Sequence, residues 1–187
     1  NAFDAIAAVS SPSDKFRICT ETGHEIHSEA WPEMNDFDEF TNTRMIHRAD
    51  FIEALRNVLP EGVLVLGHKL DDIVDNGDSA TLHFANGNTV TADLVIGADG
   101  IRSLVRNKLF SQAQPVFART HAYRIVIDAK DAEGMMDDGD LRLFMDQKGT
   151  MIYFLPLLHR NQVSFDITVL SDDPTWSPEI TKDYLIR

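Results

Sequence analysis

The chain has 187 residues, about the length of one domain or of two small ones. Hydrophobic residues make up 43% of it and charged residues 25%, a composition typical of a folded globular chain rather than a disordered one. Thirty acidic against 17 basic residues give a net charge of −13. This charge argues against a nucleic-acid binder and against docking on an anionic membrane, and leaves room only for a local basic pocket.

Cys19 is the only cysteine in the sequence, so neither an intrachain disulfide nor a cysteine-based metal cluster can form. This cysteine usage fits a reducing compartment, and we expect the protein to be cytoplasmic. No apolar run reaches the roughly 18 residues that a membrane-spanning helix needs, and no signal-peptide pattern is present. The sequence begins at Asn1 without an initiator methionine and ends at Arg187 within a helical pattern, which predicts a piece of a longer protein.

The N-terminal part of the chain predicts short elements around one clearer helix. Met45 and Ile46 are extended, and Asp50 is expected to N-cap a helix that stops at residues 60–62 (Pro-Glu-Gly). The apolar stripe of that helix comprises Phe51, Leu55, Val58 and Leu59. Before it, the patterns predict a helix over 1–8, strands over 15–20 and 25–28 with a turn at Thr22-Gly23, and a loop over 30–42.

The middle of the chain predicts a hairpin and then a buried strand that leads into a helix. Asn86-Gly87 is a strong signal for a two-residue hairpin turn. The apolar residues at 94–96 predict a buried strand over 93–97, and Ser103 begins a helix that runs to Leu109. Further strands are expected over 63–66, 69–74, 81–85 and 89–91, with a turn over 75–78.

After Pro115 the pattern changes to that of a mostly antiparallel β-sheet. Strands are expected over 116–128, 141–145, 151–158 and 162–170, with an acidic loop over 131–140 that holds Met135 and Met136, and a helix from Pro178 onward. The predicted fold class is therefore α/β, in the α+β sense. We expect two incomplete domains, spanning residues 1–112 and 113–187.

Residues 92–106 hold the most specific pattern in the chain. A buried strand runs into a sharp turn at Asp99-Gly100, and a helix start follows. Gly97 and Gly100 allow the backbone to approach a ligand closely, and the amides at a helix start favour negative charge. Ser103 can cap the helix, and Asp99 can accept a hydrogen bond from a hydroxyl or from a backbone amide. The pattern predicts an anion-handling corner, with a tight turn that binds no ligand as the alternative.

A second candidate is Arg48, which stands where a strand pattern gives way to a helix pattern. At such a junction a guanidinium can reach a phosphate or ribityl oxygen with two hydrogen bonds. The alternative is a surface ion pair with Asp50 or Glu53.

Together, these segments resemble the FAD-dependent aromatic hydroxylases, the single-component flavoprotein monooxygenases that act on salicylate, hydroxybenzoate and hydroxynicotinate. Residues 92–106 look like the family's Asp-Gly fingerprint. Residues 47–51 (His-Arg-Ala-Asp-Phe) look like its His-Arg-x-Asp-Leu segment, with Phe51 in place of leucine. Residues 1–6, 122–127 and 153–157 are also similar to family segments, so the resemblance runs along nearly the whole chain.

The resemblance implies an FAD-binding domain of the βαβ type combined with a substrate-binding sheet. It implies an enzyme that uses FAD, NAD(P)H and dioxygen to hydroxylate a small aromatic ring resembling a hydroxybenzoate or a hydroxypyridine. The implied cofactor-binding residues are Arg48, Leu70 (through backbone contacts to the adenosine part), Asp99 and Gly100. The implied substrate residues are Tyr153, Leu155 and Pro156. No catalytic base is identified, and a homodimer is left open.

Parts of the family's pattern are absent from this sequence. Its Gly-x-Gly-x-x-Gly loop would precede Asn1, and its second flavin fingerprint would follow Arg187. Leu155 stands where several relatives carry a tyrosine, and Tyr153 lies two residues away on the same strand face. The alternatives are an inactive fragment, a non-enzymatic αβ binding module, or another flavoprotein on the same scaffold, such as an epoxidase, a halogenase or a prenyl reductase.

Other candidate sites have little support. His24 and His27 fall on opposite faces of a strand pattern without a third ligand, so we expect no metal site. The aspartates near residues 71–78 lack the full calcium-loop pattern, and the serines lack a nucleophile elbow. Apolar residues of the later strands suit a flat aromatic substrate: Ile125, Phe144, Ile152, Phe154 and Phe165.

Overall fold

The computed structural model describes residues 1–30, 43–132, 134 and 138–175, and its fold is mixed α/β, as predicted. Most of the loop expected over 30–42, Met135, Met136 and the helix expected from Pro178 lie outside the described residues. In chain order the elements are α1 (Ala2–Ala7), β1 (Ser11–Pro12), β2 (Lys15–Thr20), β3 (Glu25–Ala30), β4 (Arg44–Met45), α2 (Arg48–Asn57), β5 (Leu70–Asp75), β6 (Ala80–Phe84), β7 (Thr89–Ala92), α3 (Leu104–Leu109), β8 (Thr120–Asp128), β9 (Leu141–Met145), β10 (Met151–Leu157) and β11 (Gln162–Leu170).

The chain forms two compact units. The first, the sheet unit, combines Asn1–Val58 with the chain from Ala118 onward, and the second, the hairpin unit, is Leu59–Phe117. This division differs from the expected spans of 1–112 and 113–187, because β2 and β3 join the sheet that the later strands build. The N-terminal segment therefore belongs structurally with the β-rich part of the chain.

The sheet unit is built on six strands in the order β3-β2-β9-β10-β11-β8. Every neighbouring pair is antiparallel except β2 and β9, which are parallel. The two faces follow from the alternation along each strand. The face that carries Phe154 is called the core face here, and the face that carries Tyr153 is called the tyrosine face.

The core face holds the main apolar cluster of the sheet unit. Phe154 and Val163 are fully buried, and Ala132, in a 3-10 turn after β8, packs on them. The ring of Phe154 meets that of Phe165 edge to face at 5.6 Å. The guanidinium of Arg142 lies 5.3 Å from the centre of the Phe154 ring and covers one end of the cluster.

The hairpin unit is an antiparallel β5-β6-β7 meander with α3 packed against β5. The predicted turn at Asn86-Gly87 is confirmed, and Gly87 adopts a φ of +85°, which an L-residue disfavours. Lys108 of α3 forms an ion pair with Asp72 of β5 at 2.9 Å, which fastens the helix to the meander.

Two predicted strands are wrong. Residue 63 lies in a turn, and neither residues 64–66 nor residues 93–97 have strand structure. The side chains of Leu94 and Ile96 are 77% and 82% exposed, so the buried-strand interpretation of this run is also wrong. An apolar run becomes a buried strand only where a neighbouring strand pairs with its backbone and other elements cover its faces. The described residues supply no such neighbour for these two runs.

None of the helices among the described residues has the length and apolar character that crossing a membrane requires.

Candidate functional site

Arg48 is the first residue of α2, and its side chain is exposed. The N-cap of this helix is His47, whose ring nitrogen Nδ1 accepts the Ala49 amide at 3.3 Å, so the expected cap at Asp50 is wrong. The alternative, a surface ion pair of Arg48 with Asp50 or Glu53, is not found, because Asp50 bonds to Arg160 and Glu53 bonds to Arg56. Within the described part of the chain, the Arg48 guanidinium has no carboxylate partner, which leaves it free to bind an external anion.

The carboxylate of Asp50 bonds to Arg160 and His159 and not to Arg48. Arg160 Nη1 donates to both of its oxygens, at 2.9 and 3.0 Å, and His159 Nε2 lies 3.3 Å from Oδ2. Partial burial alone would raise the pKa of Asp50, but the hydrogen bonds from Arg160 and His159 outweigh burial and hold the pKa below its usual value. Sequence reasoning missed these partners because they lie more than a hundred positions away along the chain.

The Asp99 corner forms the turn that the sequence predicts. Gly100 has a φ of +78°, and Ser103 caps α3 by accepting the Arg106 amide at 3.0 Å, which confirms the predicted cap. The Ser103 hydroxyl donates to Asp99 Oδ1 at 2.5 Å, and the amides of Leu104 and Val105 donate to Oδ2 at 2.7 and 3.2 Å. The hydrogen bond from Ser103 and the hydrogen bonds from these backbone amides lower the pKa of Asp99.

These bonds change the interpretation of the corner. The amides that were expected to hold a ligand anion at the start of α3 are already bound to the carboxylate of Asp99. Gly97 is explained by packing rather than by a ligand, because a Cβ there would lie 2.9 Å from Val105 Cβ. A Cβ at Gly100 would meet nothing within 4 Å. Each carboxylate oxygen has two lone pairs, so Asp99 Oδ1 can still accept one hydroxyl.

Leu70, the expected adenosine contact, is the first residue of β5, where the pairing with β6 shifts register between Leu70 and Asp72. Leu70, Asp99 and Gly100 belong to the hairpin unit, and Arg48 belongs to the sheet unit.

The expected substrate residues divide between the two faces of the sheet. Tyr153 and Leu155 are half-buried on the tyrosine face, as the period of two predicts, whereas Pro156 is fully buried on the core face. Tyr153 stands opposite Asp166 of β11, and Asp166 forms an ion pair with Arg124 of β8 at 2.8 Å. Arg124 falls within residues 122–127, and the alternation of that strand could have placed it on this face.

The core face carries an open pocket that adjoins its buried cluster, because Phe144 and Phe165 line the pocket and also pack against the cluster. The cavity measures about 390 Å³, and its rim includes Glu21, Asp146 and Thr150. Its apolar wall contains three of the five apolar residues expected to face an aromatic substrate, together with Ile167: Phe144, Ile152 and Phe165. Phe154, another of the five, is buried in the core and cannot contact a ligand.

Among the described residues, no group of three or more histidine, cysteine or acidic side chains is arranged to hold a metal ion. Cys19 is buried, and burial raises the pKa of its thiol.

Comparison with known proteins identifies the family of this chain. The family model described as an FAD binding domain matches residues 69–187. A 6-hydroxynicotinate 3-monooxygenase from Pseudomonas fluorescens is 35% identical over 112 residues, which cover 59% of this chain and 29% of that protein. The salicylate hydroxylase of Pseudomonas putida is 37% identical over 89 residues, covering 45% of this chain and 20% of that protein.

Solved structures agree with this result. A salicylate hydroxylase in a substrate complex superposes with a TM-score of 0.69 at 25% identity, covering 97% of this chain and 50% of that chain. HpxO of Klebsiella pneumoniae, complexed with FAD and uric acid, has a TM-score of 0.76 at 17% identity, covering 94% of this chain and 44% of that chain, and shares the fold. The chain thus spans about half or less of the length of the relatives it matches. The resemblance to FAD-dependent aromatic hydroxylases is confirmed, and because the family model matches more than half of its residues, the chain belongs to the FAD binding domain family.

Proposed function

We propose that this chain carries part of the cofactor site and part of the substrate site of an FAD-dependent monooxygenase that hydroxylates a small aromatic ring and uses NAD(P)H as reductant. The observation that carries the cofactor assignment is the Arg48 guanidinium, exposed at the start of a ten-residue helix and free of carboxylate partners among the described residues. Relatives that act on hydroxynicotinate and salicylate support the choice of an aromatic substrate.

The residues of the chain fit FAD chemically. Arg48 would bind a phosphate of the cofactor, since a guanidinium offers two parallel donors to phosphate oxygens. Asp99 would accept a hydroxyl of the cofactor through the remaining lone pair of Oδ1, and the open space beside Gly100 admits a ligand close to the backbone. Leu70 would contact the adenosine part through its backbone. When bound and reduced, FAD supplies the activation of dioxygen that hydroxylation requires.

The substrate would lie on the tyrosine face, against Tyr153 and Leu155. The Arg124–Asp166 ion pair beside Tyr153 offers a donor and an acceptor for the polar substituents of a hydroxylated or carboxylated ring. Buried Pro156 would act from behind, by holding the strand, rather than by touching the ring. The chain's task at this face is to orient the ring and to exclude water, because the oxygen-activating step is wasted in a wet site.

The pocket on the core face is a second candidate for the ring, favoured by its apolar wall of Phe144, Ile152 and Phe165. Paired variants separate the two faces. Tyr153→Phe and Leu155→Ala should raise the KM for the aromatic substrate if the ring lies on the tyrosine face, while Ile152→Ala should leave KM unchanged. The KM values are measured from substrate-dependent NAD(P)H oxidation by the complete polypeptide. A raised KM in Ile152→Ala together with an unchanged KM in Tyr153→Phe and Leu155→Ala would assign the ring to the core face.

A titration of FAD, followed by quenching of flavin fluorescence, tests the cofactor assignment. Arg48→Ala should weaken binding by about 10-fold or more, since a hydrogen bond to a charged group contributes about 1.5–3 kcal/mol. Arg56→Ala is the matched control, because Arg56 is an exposed arginine on the same helix and already forms an ion pair with Glu53. Equal affinity in the Arg48 variant and the wild type would contradict the assignment. FAD binding without ring-dependent NAD(P)H oxidation would favour another flavoprotein activity on this scaffold.

A further inference from the structure

A chain of hydrogen bonds joins three distant segments next to Arg48. Ser11 Oγ of β1 lies 2.9 Å from His159 Nδ1, in the 3-10 turn after β10, and His159 Nε2 lies 3.3 Å from Asp50 Oδ2 in the first turn of α2. Arg160, the next residue, holds both oxygens of Asp50. We call these four residues the clamp: Ser11, Asp50, His159 and Arg160.

The arrangement resembles a catalytic serine, histidine and aspartate, but its burial excludes nucleophilic attack. Ser11 is only 2% exposed, and its Oγ already accepts the His159 amide at 2.9 Å. A neutral His159 satisfies every bond, with Nε2–H donating to Asp50 and the Ser11 hydroxyl donating to Nδ1. The buried Ser11 therefore cannot act as a nucleophile, and the role of the clamp is structural.

The clamp acts on the start of α2. Asp50 lies two residues after Arg48, and its anchor partners belong to the turn between β10 and β11, in the same sheet unit. It is 27% exposed and His159 is 14% exposed, so the bonds are partly shielded from water. By contrast, Glu53 and Arg56 are more than half exposed and link one helical turn to the next, which fixes nothing outside the helix.

We propose that Asp50 is a positioning residue for Arg48, acting through His159 and Arg160 to hold the first turn of α2 in the orientation that binds the phosphate of FAD. This inference rests on the proposed cofactor role of Arg48. Because Arg160 bonds to both oxygens of Asp50, that carboxylate does not pair with the Arg48 guanidinium, and Arg48 stays available to bind phosphate. A binding group that is already ordered loses less entropy on binding, which raises affinity without a new contact.

A double-mutant cycle on FAD affinity in the complete polypeptide tests the proposal. Asp50→Asn, which removes the charge that Arg160 binds, should raise the Kd for FAD threefold or more. In the Arg48→Ala background the same change should have no further effect, because Asp50 then has nothing to position. Asp50→Glu, which keeps the carboxylate, should recover most of the affinity, and Glu53→Gln is the matched control that should change nothing.

Hydrogen exchange without FAD provides a second readout. The amides of Ala49 and Phe51, which bond to His47 at the helix start, should exchange faster in Asp50→Asn and in His159→Gln than in Glu53→Gln. An Asp50 effect on Kd that is equal with and without Arg48, or no effect at all while Arg48→Ala weakens binding, would overturn the inference. If Arg48→Ala itself leaves the Kd unchanged, the cofactor assignment fails and the positioning role falls with it.

Discussion

Replacing Gly97 with alanine should loosen the Asp99 corner, because a side chain at this position would collide with Val105 of α3. The Cβ of an alanine there would lie 2.9 Å from both Cβ and Cγ1 of Val105 and 3.3 Å from Cγ2. Carbon atoms in good contact are about 3.5–4.0 Å apart, so α3 would have to move outward by about 0.6–1.1 Å. The hydrogen bond from the Val105 amide to Asp99 Oδ2 is already 3.2 Å long, so this movement would break it.

The size of the effect follows from two opposing contributions. Overpacking a filled site costs about 1–3 kcal/mol, and replacing glycine by alanine lowers the entropy of the unfolded chain, which returns about 0.4–1 kcal/mol. Gly97 does not have a positive φ, so no further backbone strain is added. A net loss of about 1–2 kcal/mol is expected in the local stability of α3, corresponding to about 5–30-fold faster opening.

Native-state hydrogen exchange of the α3 amides measures this opening directly, without assuming that the two units unfold together. Val105→Ala removes two of the three clashing atoms, Cγ1 and Cγ2, so its effect in the Gly97→Ala background should be smaller than in the wild type. Gly139→Ala is the control, because its Cβ would meet the flexible end of Leu158 at 3.2 Å and the carbonyl oxygen of Pro12 at an ordinary contact distance of 3.6 Å. Unchanged α3 exchange in Gly97→Ala, or strict additivity with Val105→Ala, would refute the packing argument.

Three further predictions concern stability. Phe154→Ala should lower the free energy of unfolding of the sheet unit by about 3–5 kcal/mol in urea, because its ring is fully buried; a loss below 1 kcal/mol would contradict the assigned core. Ser103→Ala should destabilise α3 by about 0.5–2 kcal/mol, seen as faster amide exchange, through loss of the N-cap. The pKa of Asp50 is lowered in the folded chain, so its contribution is fully present above its unfolded pKa of about 3.9 and disappears as the pH falls through the lowered value. The stability difference between wild type and Asp50→Asn, measured by urea unfolding, should therefore shrink as the medium is acidified from neutral pH through the unfolded pKa and then through the lowered folded pKa.

Local patterns predicted most of the described elements. The strands β9 and β11 begin and end where alternation and turn residues indicated, and the hairpin at Asn86-Gly87 forms as its two-residue turn requires. In these cases the signal and the structure are both short-range. The parallel pairing of β2 with β9 had no such signal, because it joins segments more than a hundred residues apart.

The failures share a physical cause. Residues 63–66 and 93–97 are apolar enough to be strands, but a strand also needs a backbone partner, and that is not a property of the run itself. At α2, Asp50 has the residue type of an N-cap, yet His47 provides the cap and Asp50 bonds to Arg160. The residue type indicated that the Asp50 carboxylate would accept hydrogen bonds, but its partner, Arg160, is brought near it only by the fold.

The N-terminal ends of α2 and α3 differ in what they can accept. At α3, the carboxylate of Asp99 already binds the first amides, so an incoming phosphate would meet a negative charge there. At α2, the cap is the ring nitrogen Nδ1 of His47, the nearby carboxylate of Asp50 is paired with Arg160, and the Arg48 guanidinium is exposed. A helix N-terminus in this state favours an anion. The charges therefore suit α2 to a phosphate group and the Asp99 corner to a hydroxyl donor, and exchanging these two roles would place like charges together at α3.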